Sequence, residues 1–296
     1  MFSYAANAIL SKARAMYSER IRLKHYRELL SCKDVSQVIT YLKNKTVYSK
    51  IIAPTGEETF NRIKFEDRLK RQLFFDFEVL GRYDLSIANH FFEYIITRTE
   101  VEIITKCLIF LYSDKSEENF YEIPVFFNKH TKIDLLKLKY VRSYDDILSV
   151  VKNSKYFEIL KRFKPEAGKQ INLTFIEIAL QTYLYETIFA LIDKYLRGNA
   201  HEELLNLFRD YIDLLNFVKI FRMKKYYDLT TDYMYACLFN LGGISNKKLM
   251  KFLEMDDNLV FEEIKKTKLG RKWFGKKIKI VYIVDCAAFL SILFLP

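Results

Sequence analysis

The feature that most constrains this chain is an internal repeat of about 110 residues, carried by two recognisable elements. The first reads VSQVITYLKNKTVYSKII at 35–52 and YDDILSVVKNSKYFEIL at 144–160. Lys43-Asn44 falls on Lys152-Asn153, Leu42 on Val151, Val38-Ile39 on Ile147-Leu148 and, after a one-residue gap, Tyr48 on Tyr156. A third copy, NLVFEEIKKTKLGRKW at 258–273, lays Ile264 to Leu269 over Val151 to Tyr156 without a gap. The pattern predicts a short amphipathic helix in each copy, with Asp34, Asp145 and Asp257 as candidate N-caps and a basic exit that suits the helix dipole.

The second element reads EVEIITKCLIFL at 100–111 and YIDLLNFVKIFR at 211–222, an offset of 111 residues. Glu102 falls on Asp213, Ile103-Ile104 on Leu214-Leu215 and Ile109-Phe110 on Ile220-Phe221. Leu204, Leu207, Phe208, Tyr211, Leu214, Leu215, Val218 and Phe221 step by three and four, which predicts a long helix with one buried face. A third copy would fall near residue 325, past position 296, so the chain reads as two full modules and one unfinished one. The expected lobes are 1–115, 116–225 and 226–296, with breaks at the polar stretch Ser113 to Asn119 and at Lys224 to Asp232. PTGEE at 54–58, PEAGK at 165–169 and Gly242-Gly243 read as turns inside modules.

Composition agrees with helices. Only 8 glycines and 4 prolines occur in 296 residues, too few turn formers for a sandwich or barrel, while 50% apolar residues supply a sizeable core. The net charge of +11 is concentrated at the two ends: +7 over 1–52 and +5 over 223–296. That surplus suits an anionic partner without choosing among nucleic acid, membrane surface and acidic protein. Four scattered cysteines (Cys32, Cys107, Cys237, Cys286) form no C-x-x-C pair, and the N-terminus has no signal-peptide pattern, which together read as a reduced cytoplasmic protein. The apolar stretch Ile280 to Pro296 is 17 residues long with Asp285 inside it, short of a bilayer span, so no transmembrane segment is expected.

Catalytic signals are weak. Gly270-x-x-x-x-Gly275-Lys276 has the glycine and lysine spacing of a phosphate-binding loop. Lys277 stands where a hydroxyl should hold Mg²⁺, however, and an apolar run follows the loop instead of preceding it, so a basic turn is the better reading. His25, His90, His130 and His201 lack a second ligand at metal spacing, and structural roles are expected for them. The acidic doublets Glu57-Glu58, Asp145-Asp146, Glu202-Glu203 and Glu262-Glu263 are adjacent residues that diverge on a helix, so they do not form acid–base pairs. No catalytic residue, cofactor or metal is expected. The run KKTKLGRKWFGKKIK at 265–279 holds eight basic residues with Trp273 and Phe274 between them, and leaves a basic helical-repeat protein that binds nucleic acid as the alternative.

The string YAANAILSKARAM at 4–16, followed by HYRELLSCKDVSQVITYLKNKTVY at 25–48, resembles the opening of the C subunit of V-type and A-type ATPases, the family of the eukaryotic V-ATPase d subunit. The matching residues are Tyr4, Asn7, Arg14-Ala15, Leu29-Leu30 and Thr46-Val47-Tyr48. Asp213-Leu214-Leu215-Asn216 with Lys219 and Arg222 is similar to the acidic-Asn-Leu…Arg pattern of that family's long helices, and 102–111 is a weaker copy. The similarity runs from residue 1 to about 273. It implies an all-α protein of three similar lobes arranged pseudo-threefold as a funnel. It further implies a non-catalytic rotor adapter in the central stalk, peripheral on the membrane, that couples the rotating shaft to the proteolipid ring. The partners implied are the shaft subunits and that ring, with no nucleic acid. The family's last long helix has no counterpart at 280–296, which points to an incomplete third lobe and a truncated or frame-altered C-terminus. Arg14, Arg20, Lys219, Arg222, Lys224 and Lys225 are the candidate partner-interface residues.

Overall fold

The computed structural model describes residues 2–52, 62–81, 88–112, 127–128, 130–131, 133–166 and 171–274. Among these residues the regular structure is helical throughout and no strand occurs, as the scarcity of turn formers predicts. The helices are α1 (Phe2–Ser18), α2 (Leu23–Leu30), α3 (Val35–Lys45), α4 (Ser49–Ile52), α5 (Arg62–Gly81), α6 (Ala88–Leu111), α7 (Leu135–Leu138) and α8 (Tyr144–Val151). They continue as α9 (Tyr156–Lys161), α10 (Leu173–Tyr195), α11 (Gly198–Tyr226), α12 (Thr231–Ala236), α13 (Asn246–Glu254), α14 (Asp257–Lys265) and α15 (Lys268–Phe274). The chain forms two compact units, Met1–Ile96 with Glu117–Thr131, and Thr97–Ser116 with Lys132–Pro296.

The first repeated element is a helix, a tight turn and a second short helix, not one helix: α3/α4, α8/α9 and α14/α15. A hydroxyl makes the break in each copy. Thr46 Oγ1 donates to Leu42 O (2.6 Å), Ser154 Oγ to Val151 O (2.7 Å) and Thr267 Oγ1 to Ile264 O (2.7 Å). The three carbonyls sit at the aligned repeat positions. The donor lies four residues downstream in the first copy and three in the others, which accounts for the one-residue gap. Taking an orphan carbonyl with a side chain is how a helix end is satisfied where the chain must turn.

The caps match the expectation in one copy. Asp34 accepts from Gln37 N at 2.8 Å. In the second copy the cap is Ser143, in a reciprocal box with Asp146, while Asp145 pairs with Lys164 Nζ at 2.5 Å. Asp257 is already inside α14 and pairs with Lys224. The break expected at Ser113 to Asn119, the turn at 54–58 and the tail from Ile280 lie outside the described residues. At the second expected break, α11 ends at Tyr226 and α12 begins at Thr231.

The first unit packs Ile39, Leu42, Ile52 and Phe65 with Leu29, Tyr48 and Leu69 around them. A separate aromatic cluster sets Phe74 against Phe92, Phe127 and His130, with ring centroids 5.2 to 5.3 Å apart. The second unit buries Phe217, Ile220, Leu249, Phe252, Val260 and Ile264 in one core and Tyr185, Ile212 and Phe239 in another. Also in this unit, Tyr156 donates to the buried Glu100 carboxylate at 2.8 Å, and burial pushes the Tyr156 hydroxyl well above its usual titration range. The 23-residue α10 escapes the repeat pattern. By length and composition it could cross a bilayer, yet Ile176, Leu180, Leu184, Ile188 and Ile192 form a buried stripe on it. It turns back into α11 as an antiparallel hairpin packed through Ile178, Tyr185, Phe189, Tyr211, Ile212 and Leu215, with His201 Nε2 and Asp193 Oδ1 2.7 Å apart near the turn.

Gly270, the first glycine of the phosphate-loop-like string, lies within α15 and has a packing role. A Cβ there would stand 2.0 Å from Ile264 O, so the glycine lets α15 seat on the end of α14, and its N–H donates to Thr267 Oγ1 at 2.8 Å. Gly270→Ala is expected to destabilise the second unit by about 2–4 kcal/mol, since the clash is with backbone, which yields little. Urea unfolding followed by circular dichroism measures it, and a loss within about 0.5 kcal/mol of zero would show that the contact is soft.

Candidate functional site

One face of α11 carries Asp213, Asn216 and Lys219, three residues apart, and all three reach the irregular segment after α12. Asn216 Nδ2 donates to Phe239 O at 2.8 Å, and its Oδ1 accepts from Phe239 N at 2.9 Å, so one amide satisfies both backbone groups of a single residue. Asp213 accepts from Gly243 N (3.0 Å) and Ile244 N (3.3 Å). Lys219 Nζ donates to Cys237 O at 3.1 Å and lies 4.1 Å from the centroid of the Phe239 ring. A segment outside any helix is therefore held, group by group, by a helix face.

Gly242 is required by this clamp. A Cβ on it would stand 2.0 Å from Asp213 Oδ1, so the pair read in the sequence as a turn is where the carboxylate approaches the backbone. Burial sets the electrostatics. The Asp213 carboxyl is pushed up to about 6 by desolvation, against the two backbone N–H groups that favour its charge. Desolvation draws the Lys219 ammonium down to about 8, opposed by the Glu177 carboxylate.

Beside the row opens a cavity of about 410 Å³ lined by Glu177, Gln181, Lys219, Arg222, Tyr233 and Phe239 among others. Gln181 Nε2 donates to Glu177 Oε1 at 3.0 Å, which leaves the buried Gln181 Oε1 without a partner. A neighbouring cavity of about 160 Å³ shares Thr174 and Glu177 and is bordered by Thr105, whose buried hydroxyl is likewise unpartnered.

The six candidate interface residues separate. Arg14 and Arg20 are exposed in the first unit, where the Arg20 guanidinium lies 3.7 Å from the Tyr17 ring centroid and donates to Tyr17 O at 2.9 Å. In the second unit, Arg222 and Lys225 are exposed, the former at the cavity. Lys219 and Lys224 face inward: Lys224 Nζ donates to Met255 O at 2.7 Å and pairs with Asp257 Oδ1 at 3.2 Å. Of the basic run at 265–279, Lys265 on α14 and Lys266 just past its end pair with Glu262 and Glu263 of α14, Lys268 and Arg271 are exposed, and residues from Gly275 onward lie outside the described part. Among the described residues, no three His, Cys, Asp or Glu side chains gather into a metal-holding group. His25 accepts the Arg22 N–H at the start of α2, while the His90 side chain lies outside the described part.

The backbone-holding role of Asn216 is not visible in the sequence, where this residue stands only as part of a pattern. Its one outward signal is Gly242-Gly243, some way downstream. Asn216→Ala is expected to cost about 3 kcal/mol, since both Phe239 backbone groups lose their partner in a buried setting. Chemical denaturation checks it, with Asn216→Asp failing to rescue because a carboxylate has no donor for Phe239 O. Asp213 adds a pH dependence. Its native form holds the proton more tightly than the unfolded chain, so its stabilisation is complete below about pH 4 and is lost as pH rises through 6, by roughly 3 kcal/mol in all. Relative to wild type, Asp213→Asn should therefore gain stability between about pH 4 and about pH 7, as unfolding titrations on both proteins would measure.

Comparison with known proteins places these helices in a family. The ATP synthase (C/AC39) subunit family matches residues 9–277. The A-type ATP synthase C subunit of Methanosphaera stadtmanae is 22% identical over 263 residues, which is 88% of this chain and 65% of that protein. Its counterpart in Methanosarcina barkeri, also an A-type ATP synthase C subunit, is 23% identical over 216 residues, 73% of this chain and 58% of that relative. The one in Methanosarcina mazei is 21% identical over the same extent. The chain thus spans about three-fifths of the length of these relatives. With the family covering nearly all of the described helices, from α1 to α15, the chain belongs to the ATP synthase (C/AC39) subunit family.

Proposed function

We propose that this chain is a rotor adapter of an A/V-type ion-translocating ATPase: a central-stalk piece that passes torque from the rotating shaft to the proteolipid ring and does no chemistry of its own. The observation that carries the reading is the family match over 9–277, together with what the long-helix polar pattern does here. Asp213, Asn216 and Lys219 are committed to holding backbone, so the pattern serves rigidity. A torque-bearing part benefits from this, because a close-packed interior transmits strain where a loose one absorbs it. Three similar lobes, 1–115, 116–225 and 226–296, belong to this reading, as does a position on the membrane by way of the complex. Two of the basic run's cations, Lys265 and Lys266, are paired with Glu262 and Glu263, which leaves fewer of them for a nucleic-acid backbone and supports the protein-partner reading. Arg14, Arg20, Arg222 and Lys225 are the exposed members of the candidate set and are assigned to partner surfaces.

Co-expression with the shaft and proteolipid subunits of the same complex is expected to yield a detergent-stable assembly, with Arg222→Glu/Lys225→Glu weakening capture at least about tenfold. Failure of the wild-type chain to capture either partner would overturn the reading.

A further inference from the structure

We infer that α2 presents an anionic-lipid contact. The helix buries none of its residues. His25 and Leu29 turn toward the first unit, with Leu29 against its core and His25 beside Tyr41. The opposite side shows Leu23 (66% exposed), Tyr26 (49%) and Leu30 (86%), which at three and four residue spacing form one apolar stripe facing solvent. Exposed Lys24 and Arg27 flank the stripe on its own helix, and Arg20 with the exposed Tyr17 beneath its guanidinium extends it at the end of α1. Glu19 and Glu28 lie in the same stretch, yet residues 1–52 carry +7 overall.

Leucines exposed to this degree, rimmed by arginine and lysine and accompanied by tyrosine, match the chemistry of a headgroup region. There, apolar side chains enter the acyl boundary, tyrosines sit at the interface and cations meet lipid phosphates. A protein partner would be expected to meet the stripe with acidic side chains around an apolar groove. The lipid surface is favoured because exposed Arg20, Lys24 and Arg27 border the apolar stripe, with no acidic partner on Lys24 or Arg27 among the described residues, which leaves these cations for lipid phosphates. The stripe is short, so its grip is weak alone and adds to whatever else holds the protein at the membrane. The proposed function serves here only to bring the chain near a bilayer; the contact itself stands on the exposed residues.

The test is co-sedimentation of the full chain with vesicles of phosphatidylcholine containing phosphatidylglycerol, against phosphatidylcholine alone. Binding to the anionic vesicles, reduced by added salt and at least about tenfold by Leu23→Asp/Leu30→Asp and by Lys24→Glu/Arg27→Glu, is the expected result. The exposed positions leave the fold intact, which circular dichroism and the Tm of each variant verify. Equal binding to both vesicle types, no binding, or binding that survives both variants would overturn the inference. Loss of proteolipid-ring capture in detergent by the leucine variant, with vesicle binding unchanged, would overturn it too and make the stripe a protein contact. Vesicle binding without capture of any ATPase subunit would leave the lipid contact standing and remove the proposed function instead.

Discussion

Much of the second unit rests on the bidentate contact between Asn216 and the backbone of Phe239. The segment between α12 and α13, Gly242 and Gly243 included, crosses the face of α11 outside any helix. Buried backbone of this kind is stable only when every donor and acceptor is met. Asn216 meets two of these groups and fixes the register; Asp213 and Lys219 then meet their neighbours on either side. Phe239, fixed in place, packs edge-on against Tyr185 at 5.4 Å and ties α10 to the segment that α11 holds. The core of α12, α13 and α14 then has a fixed wall to build on.

The first copy of this long helix lacks the row. At the offset of 111 residues, Asn216 becomes Thr105 and Lys219 becomes Leu108. Thr105 Oγ1 is buried without a partner, and Leu108 is 1% exposed, packed as an ordinary core residue. Glu102, at the place of Asp213, pairs with Lys106 one turn along its own helix at 2.6 Å. The weakness of this copy in the sequence therefore has a structural counterpart: its corresponding positions are put to local or apolar uses.

The helical class, both repeated elements and the Asp34 cap were legible in the sequence, because each is written in local spacing that a 3.6-residue period makes visible. The break inside every short element was not. It depends on the hydroxyls of Thr46, Ser154 and Thr267 turning back to a carbonyl, and Ser and Thr serve equally well at caps, turns and surfaces. The clamp was illegible for a different reason. Its acceptors and donors are backbone groups 18 to 31 residues away, and backbone carries no residue-type signal except where, as at Gly242, a side chain would be in the way. Helix α10 was missed because it is apolar on most sides, so no stripe stands out against the rest.

That same helix has a consequence for how the chain is made. Emerging from the ribosome, α10 is a 23-residue largely apolar segment, long enough by length and composition to cross a bilayer. One side of it, with Ile178, Tyr185 and Phe189, is covered by α11, which begins after only Leu196 and Arg197. Translation supplies the covering surface at once, before much further chain is exposed. A longer connection there would leave that side of the segment bare for longer during synthesis, so the two-residue link between Tyr195 and Gly198 shortens the stretch of chain that must emerge before the helix can be covered.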